Sequence, residues 1–300
     1  MHEGSADSRS RVSLAEWAEA GRTMDYRGHA IFVRVAGAPG AEPLVLIHGF
    51  PTASWDWEAL WSSLARRFRV YTLDMIGFGF SAKPAGYAYS LMDQATLVAS
   101  FLANEGVEKY HLLAHDYGDS VAQELLARQQ ESGRGPRLRS AAFLNGGLFP
   151  ETHRPVPVQK LLLSPLGPLV ARMTTRATVA QSMRKIFGPA TQPDQALIDA
   201  FWNLMTHNNG LAVAPRLIRY IIERREHRER WVGAMQHARI PLKLINGTAD
   251  PVSGQHMAAR YEELIPQPDV TLLENVGHYP QIEAPDAVLA AYLAFRQRIA

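Results

Sequence analysis

Cysteine is absent from all 300 residues. Its absence excludes disulfides, thiolate metal sites and a cysteine nucleophile together, and it leaves the redox compartment open, because such a chain folds in either environment. An excess of one charge is missing too: 31 Lys+Arg stand against 29 Asp+Glu, a net of +2. Without a basic footprint, nucleic acid drops out as a partner. No window approaches the ~18 uninterrupted apolar residues that a membrane span needs. Apolar stretches such as LLLSPLGPLV at 161–170 are cut by Ser, Gly and Pro. The polar, mixed-charge opening of the chain lacks the apolar segment of a secretory signal. Fixed-period repeats and low-complexity tracts are also missing. The expectation is a cytoplasmic protein with no membrane partner.

What is present is ordinary globular composition, 47% hydrophobic and 20% charged. At this length about three quarters of the unfolded surface can be buried, enough for one large α/β domain with an insertion. Residues 1–22 read as an arm with a short helix. AIFVRVAG at 30–37 alternates as a strand, and PLVLIHG at 43–49 is a short apolar run suited to a strand covered on both faces. Residues 54–68 have helical spacing through Trp57, Leu60, Trp61, Leu64 and Phe68. A strand at 69–75 and the Gly-punctuated loop IGFGFSAKP follow. The helix at 90–106 is bracketed by Ser90 as a cap and Gly106 as a stop. Strand 110–116, helix 119–130 and strand 139–146 continue the alternation, which predicts a mostly parallel sheet with helices on both faces. Between 148 and 238 no strand is evident, and the segment reads as a helical lid inserted into a core of 23–147 and 239–300. Strands at 240–247 and 269–275 and a final helix from 286 complete the core.

Open parallel sheets place their ligands at the carboxyl ends of strands. Three polar residues fall there. Asp116, in AHDYG, sits between a strand and a helix with small residues at 114 and 118, the pattern of a sharp turn that lifts its central side chain clear of the sheet. The same residue, read alone, is also a good helix cap. Asp250 follows the strand ending at Ile245, and His278 follows the strand ending near Leu273. Each is ordinary alone. The order nucleophile, acid, histidine, each after a successive strand, is that of an α/β-hydrolase triad. After the strand at 43–47, His48-Gly49-Phe50-Pro51 places the Phe50 N–H to join that of Tyr117 as an oxyanion hole. Asp119, on the first turn of the next helix, is expected to complement the helix dipole. His207, His227 and His237 lack metal-ligand spacing and read as solvated surface, so no metal is expected.

HGFP, DMIGFGFS, AHDYGDS and VGHYP resemble the aspartate-nucleophile branch of the α/β-hydrolases, which holds the epoxide hydrolases and haloalkane dehalogenases. HGFPTASWDW, NGGLFPETHRP and RERWVGAM further resemble the mesoderm-specific transcript family, over a span from about Asp25 to the C-terminus. The resemblance implies a cofactor-independent hydrolase in which Asp116 forms an alkyl ester that water, activated by His278 and oriented by Asp250, then hydrolyses. The implied substrate is a small hydrophobic molecule. Dehalogenases of this branch commonly carry Trp after the nucleophile and Asn after the HG pair; here Tyr117 and Phe50 stand there. Epoxide hydrolases use lid tyrosines as the acid, and Tyr220 resembles one of them, although a packing role on an amphipathic helix is the alternative. The second such tyrosine has no equivalent. Epoxide opening to a diol is therefore the leading expectation, ahead of dehalogenation, other ester hydrolysis, and an idle binding protein on a hydrolase scaffold. His48 and His115 join Tyr220 as candidate substrate-binding residues. A homodimer stays open.

Overall fold

The computed structural model describes residues 11–299. Eight strands form one sheet in the order β1-β2-β4-β3-β5-β6-β7-β8. They are β1 (Arg22–Tyr26), β2 (His29–Ala36), β3 (Pro43–Ile47), β4 (Arg69–Leu73), β5 (Lys109–His115), β6 (Arg137–Leu144), β7 (Leu242–Gly247) and β8 (Val270–Leu273). β2 pairs antiparallel with β1 and β4, and every other pairing is parallel. Side chains alternate across the sheet. Val45, Ile47, Leu112 and Ala114 enter one hydrophobic core, while Leu44, Leu46, Leu113 and Ala142 enter the other. This two-sided burial is why β3 reads as an unbroken apolar run rather than an alternating one.

Helices α1 (Leu14–Glu19), α2 (Glu58–Ala65) and a C-terminal helix (Pro285–Arg298) cover one face; α3 (Leu91–Asn104), α4 (Tyr117–Ser132) and a helix over Gln255–Leu264 cover the other. The Ser90 hydroxyl accepts the Asp93 N–H at the start of α3, and Gly106 takes φ +69 just past its end, as the two sequence signals predict. Two expectations need revision. Residues 1–10 of the expected arm lie outside the described residues, and from Arg11 on the segment packs onto the core: its short helix is α1, whose Trp17 is fully buried and donates to the Ser54 hydroxyl, and β1 starts at Arg22. Only Met24 and Tyr26 of β1 are buried, too short an alternation to stand out. The helix expected at 54–68 is a 3-10 turn over Ser54–Trp57 followed by α2. The Asp74 carboxylate holds the Ser54 N–H at 2.8 Å and ties that turn to the loop after β4.

The insertion between β6 and β7 is helical, with no strand among its residues: α5 (Pro157–Leu163), α6 (Gly167–Met173), α7 (Arg176–Ile186), α8 (Gln195–Thr206), α9 (Ala214–Leu217), α10 (Tyr220–Glu226) and α11 (Arg228–Gln236). α11 is anchored on α4, where Glu124 accepts from Trp231 Nε1 at 2.8 Å and from Arg230 Nε at 2.7 Å. α7 and α8 pack into the second core through Val179, Met183, Ile198 and Phe201.

Candidate active site

The turn from β5 to α4 pivots on Asp116, whose φ of 47° and ψ of −103° lie outside the regions that a non-glycine residue prefers. Such a backbone costs on the order of 1–3 kcal/mol and persists only where its surroundings enforce it. Two glycines make the turn possible. A Cβ on Gly118 would stand 2.5 Å from the Ile47 carbonyl oxygen, and one on Gly49 would stand 2.6 Å from His115 Nδ1. The Asp116 side chain does not cap α4. Its Oδ2 instead accepts the Phe50 N–H at 3.1 Å, which puts that oxygen in the expected oxyanion hole. Tyr117, the other expected donor, opens α4.

Asp250 and His278 come from the loops after β7 and β8. His278 Nδ1 and Asp250 Oδ2 are 2.8 Å apart, which leaves Nε2 as the nitrogen free of Asp250. Asp250 is fully occupied: Oδ2 also accepts from Asn145 Nδ2 at 3.0 Å and Ser253 Oγ at 2.8 Å, and Oδ1 accepts the Val252 N–H at 2.8 Å. Asn145, at φ +40, also accepts the Gly247 N–H, so one amide joins the ends of β6 and β7. The His278 N–H donates to the Ile186 carbonyl at 2.8 Å, which sews the histidine loop to the end of α7.

Four charges share this buried space. Burial opposes ionisation of Asp116, but Arg224, then His278 and His115, outweigh it and hold the carboxyl below its ordinary range. Burial likewise opposes a charged His278, but Asp250 and Asp116 raise its pKa to about 9. Asp250, against its own burial, is lowered to about 2 by His278 and its hydrogen-bond donors. The four groups therefore favour one another's charged forms.

Arg224 was not singled out in the sequence. Its Nη2 lies 2.8 Å from the Asp116 carbonyl oxygen and 3.4 Å from Oδ1, and its Nε donates to Ser120 Oγ at 2.7 Å. It is 1% exposed, and Nη1 has no partner. Gly147 leaves it room, since a Cβ there would fall 2.5 Å from Nη1. Within ERREHRERW it looks like one more surface cation. The available signal was its i,i+4 spacing from Tyr220, whose ring centre lies 4.4 Å from the guanidinium.

Tyr220 is brought to the nucleophile. Its ring packs on Tyr117 at 5.1 Å and Phe50 at 5.8 Å, and burial together with the Asp116 charge pushes its phenol well above the ordinary range. An apolar cavity of about 120 Å³ runs from Phe50 and His278 outward under the lid, past Leu162, Val179, Met183 and Met205; neither Asp116 nor Tyr220 lines it. His48 and His115 take other places than the substrate-binding ones expected. Both are fully buried. His48 Nδ1 lies 2.8 Å from the Gly49 carbonyl and Nε2 accepts the Met75 N–H, so backbone occupies both nitrogens. His115 Nε2 bonds the His278 carbonyl at 2.7 Å, and burial lowers its pKa to about 3: it supports the His278 loop from behind. Asp119 is also revised. Burial, then the Asp116 charge, raise its pKa well above the ordinary range, which opposes the anionic dipole partner expected. Of the three lid histidines, His207 and His237 are exposed and His227 is half-buried. Among the described residues no cluster of His, Asp and Glu has metal-binding geometry.

Residues 42–285 match the family model described as alpha/beta hydrolase fold. The chain is 40% identical to the mesoderm-specific transcript protein of Mus musculus, over 94% of this chain and 88% of that protein. It is 39% identical to the putative hydrolase LipZ of Mycobacterium tuberculosis, over 94% of this chain and 97% of that protein. The crystal structure of haloalkane dehalogenase DbeA from Bradyrhizobium elkani superposes with a TM-score of 0.77 at 19% identity, covering 93% of this chain and 99% of that one. With this sheet order, this insertion point and a family match across both halves of the core, the chain belongs to the α/β-hydrolase fold family.

Proposed function

We propose that this protein is a cofactor-independent hydrolase working through a covalent Asp116 ester, and that its substrates are epoxides opened to diols. The observation that carries the proposal is the placement of the Asp116 carboxylate: Oδ2 rests on the Phe50 N–H, while Oδ1, 3.4 Å from Arg224 Nη2, is the oxygen outside the oxyanion hole. Asp116 Oδ1 displaces the ring oxygen from carbon, and the departing alkoxide takes the Tyr220 proton. The Tyr220 phenolate then takes the proton of His278, which esterification of Asp116 loosens by removing one of the anions that held it, so the phenol is restored and the imidazole is left neutral as a base. It then takes a proton from water, whose oxygen attacks the ester carbonyl. The Phe50 and Tyr117 N–H groups hold the oxyanion. Collapse expels the diol oxygen with the His278 proton, and the water's second proton passes from the Asp116 carboxyl to His278, which restores the carboxylate, now carrying one solvent oxygen.

Dehalogenation is less supported by the pocket. A halide is held by N–H donors at its exit. Here the Tyr117 ring is buried against Phe78 and Tyr220, and the Phe50 side chain is apolar. Turnover measured on a panel of terminal epoxides, haloalkanes and p-nitrophenyl esters tests the assignment. Diol formation from epoxides is the expected outcome. Halide release with inert epoxides would replace the substrate class, and inertness toward the whole panel would favour a binding protein.

A further inference from the structure

We propose that the outer face of the α5–α6 hairpin is a docking surface for an anionic lipid bilayer, seated on the lid so that apolar substrate passes from the bilayer into the cavity. Five large hydrophobic residues are prominently exposed among the described residues; four of them, Leu161, Leu166, Leu169 and Met173, lie within this one hairpin. Leu166, Leu169 and Met173 recur at spacings of three and four, which stacks them on one side of α6. Met173 alone is 67% exposed. Large apolar side chains gathered on one outer face mark an interaction site rather than ordinary surface scatter.

The charge around the patch selects the occupant. No Asp or Glu occurs between Glu151 and Asp194, whereas Arg154, Lys160, Arg172, Arg176, Arg184 and Lys185 do. Arg176 is engaged by Asp199. The other five are exposed, and none forms an ion pair among the described residues. The rest of the chain is then acidic by 29 against 25 cations (31 less these six), so the lid segment holds the basic surplus of a nearly balanced protein. An apolar ridge with a cationic margin and no anions fits headgroups of negative charge over acyl chains. A second copy of the same patch would meet it with like charge. Among the described residues no helix is long and apolar enough to cross a membrane.

The patch also adjoins the chemistry. A surface groove of about 400 Å³ lies along it, lined by Leu161, Val170 and Met173 with Lys185. That groove shares Val156, Val158, Thr174, Thr178 and Ser182 with the inner cavity, which ends at His278. A molecule dissolved in a bilayer beneath the hairpin has an apolar path to the site. The docking claim does not depend on the ester mechanism, because it is read by binding and not by turnover.

Co-sedimentation of the full chain with vesicles tests it. The protein is expected to bind vesicles of phosphatidylcholine mixed with phosphatidylglycerol, to bind phosphatidylcholine alone far less, and to be released by salt. Lys160→Gln with Arg172→Gln should weaken binding by about fivefold per residue. Leu166→Gln with Met173→Gln should weaken it by roughly tenfold or more. Leu272→Gln, which removes the fifth exposed hydrophobic residue, on β8 and off the lid, should leave binding unchanged. All of these side chains are solvent-exposed, and unchanged melting of each variant will confirm its fold. Failure to bind mixed vesicles overturns the proposal. So does binding that the lid variants do not weaken, and so does a dimer that the apolar variants dissociate while vesicle binding persists.

Discussion

At the carboxyl edge of the sheet, Asp250 has both oxygens engaged by four donors, and the turn at Asp116 is crowded by the Ile47 and His48 carbonyls and by the His115 ring. Across the cavity, the α5–α6 hairpin leaves Leu161, Leu166, Leu169 and Met173 in solvent. One region is over-determined and the other under-packed. Reacting groups must be held within a fraction of an ångström, which only rigid elements supply. An entrance must admit a molecule whose shape is not fixed in advance. α10 stands between these regimes, because it belongs to the lid by sequence and yet buries Tyr220 and Arg224 against the nucleophile. The inserted segment therefore supplies part of the electrostatics of the site.

The comparison breaks most sharply at His278. On the proposed mechanism His278→Ala still alkylates and then stops, so steady-state turnover should fall by about 10³-fold or more. Intact-mass spectrometry after substrate addition should show one adduct on Asp116. A variant that turns over normally, or never alkylates, would remove the histidine from the second step.

Tyr220→Phe probes the lid's chemical contribution next. Loss of a positioned general acid costs about 10²–10⁴-fold. The loss should fall on alkylation by epoxides and spare activated halides and esters, whose leaving groups gain little from a proton. The raised phenol pKa narrows the driving force for transfer. Equal loss on every substrate would mean that Tyr220 acts by packing.

Arg224 sharpens the comparison with a smaller effect on rate and a clear effect on pH dependence. The Asp116 pKa is depressed in the folded protein, so its carboxylate, and whatever stability that ionisation adds, are present above the unfolded value and are lost as pH falls through the lower folded one. Arg224→Met leaves Asp116 buried beside Asp119 without its cation. The acid limb of single-turnover alkylation should then move to higher pH, and removing one partner of a buried pair should cost about 3–5 kcal/mol of stability. Arg224→Lys should recover part of the limb. An unshifted limb in Arg224→Met would leave the arginine a purely structural role.

How much of this was legible beforehand divides along the same line. The parallel strands β3, β5, β6 and β7 are apolar because both faces are covered, so their runs and the residues ending them could be read directly; the candidate positions Asp116 and Asp250 follow from that, whereas His278 follows the half-buried edge strand β8. β1 could not be read that way, since it packs on one face through only Met24 and Tyr26. Arg224 and Asn145 were invisible as site residues because their meaning is a partner far away in the chain: Asp116 for the first, Asp250 for the second. His48 and His115 misled for the opposite reason. They sit beside functional residues in sequence, but as strand-end residues their rings turn into the interior and meet backbone.

The central claim is that the Asp116 carboxylate becomes covalently attached to substrate. Single turnover in water enriched in heavy oxygen, with enzyme in excess, tests it most directly. The account expects the first product to carry ordinary oxygen, taken from Asp116, and the label to enter the Asp116 carboxylate instead. A first product already bearing the solvent label would show direct attack by water and contradict the account.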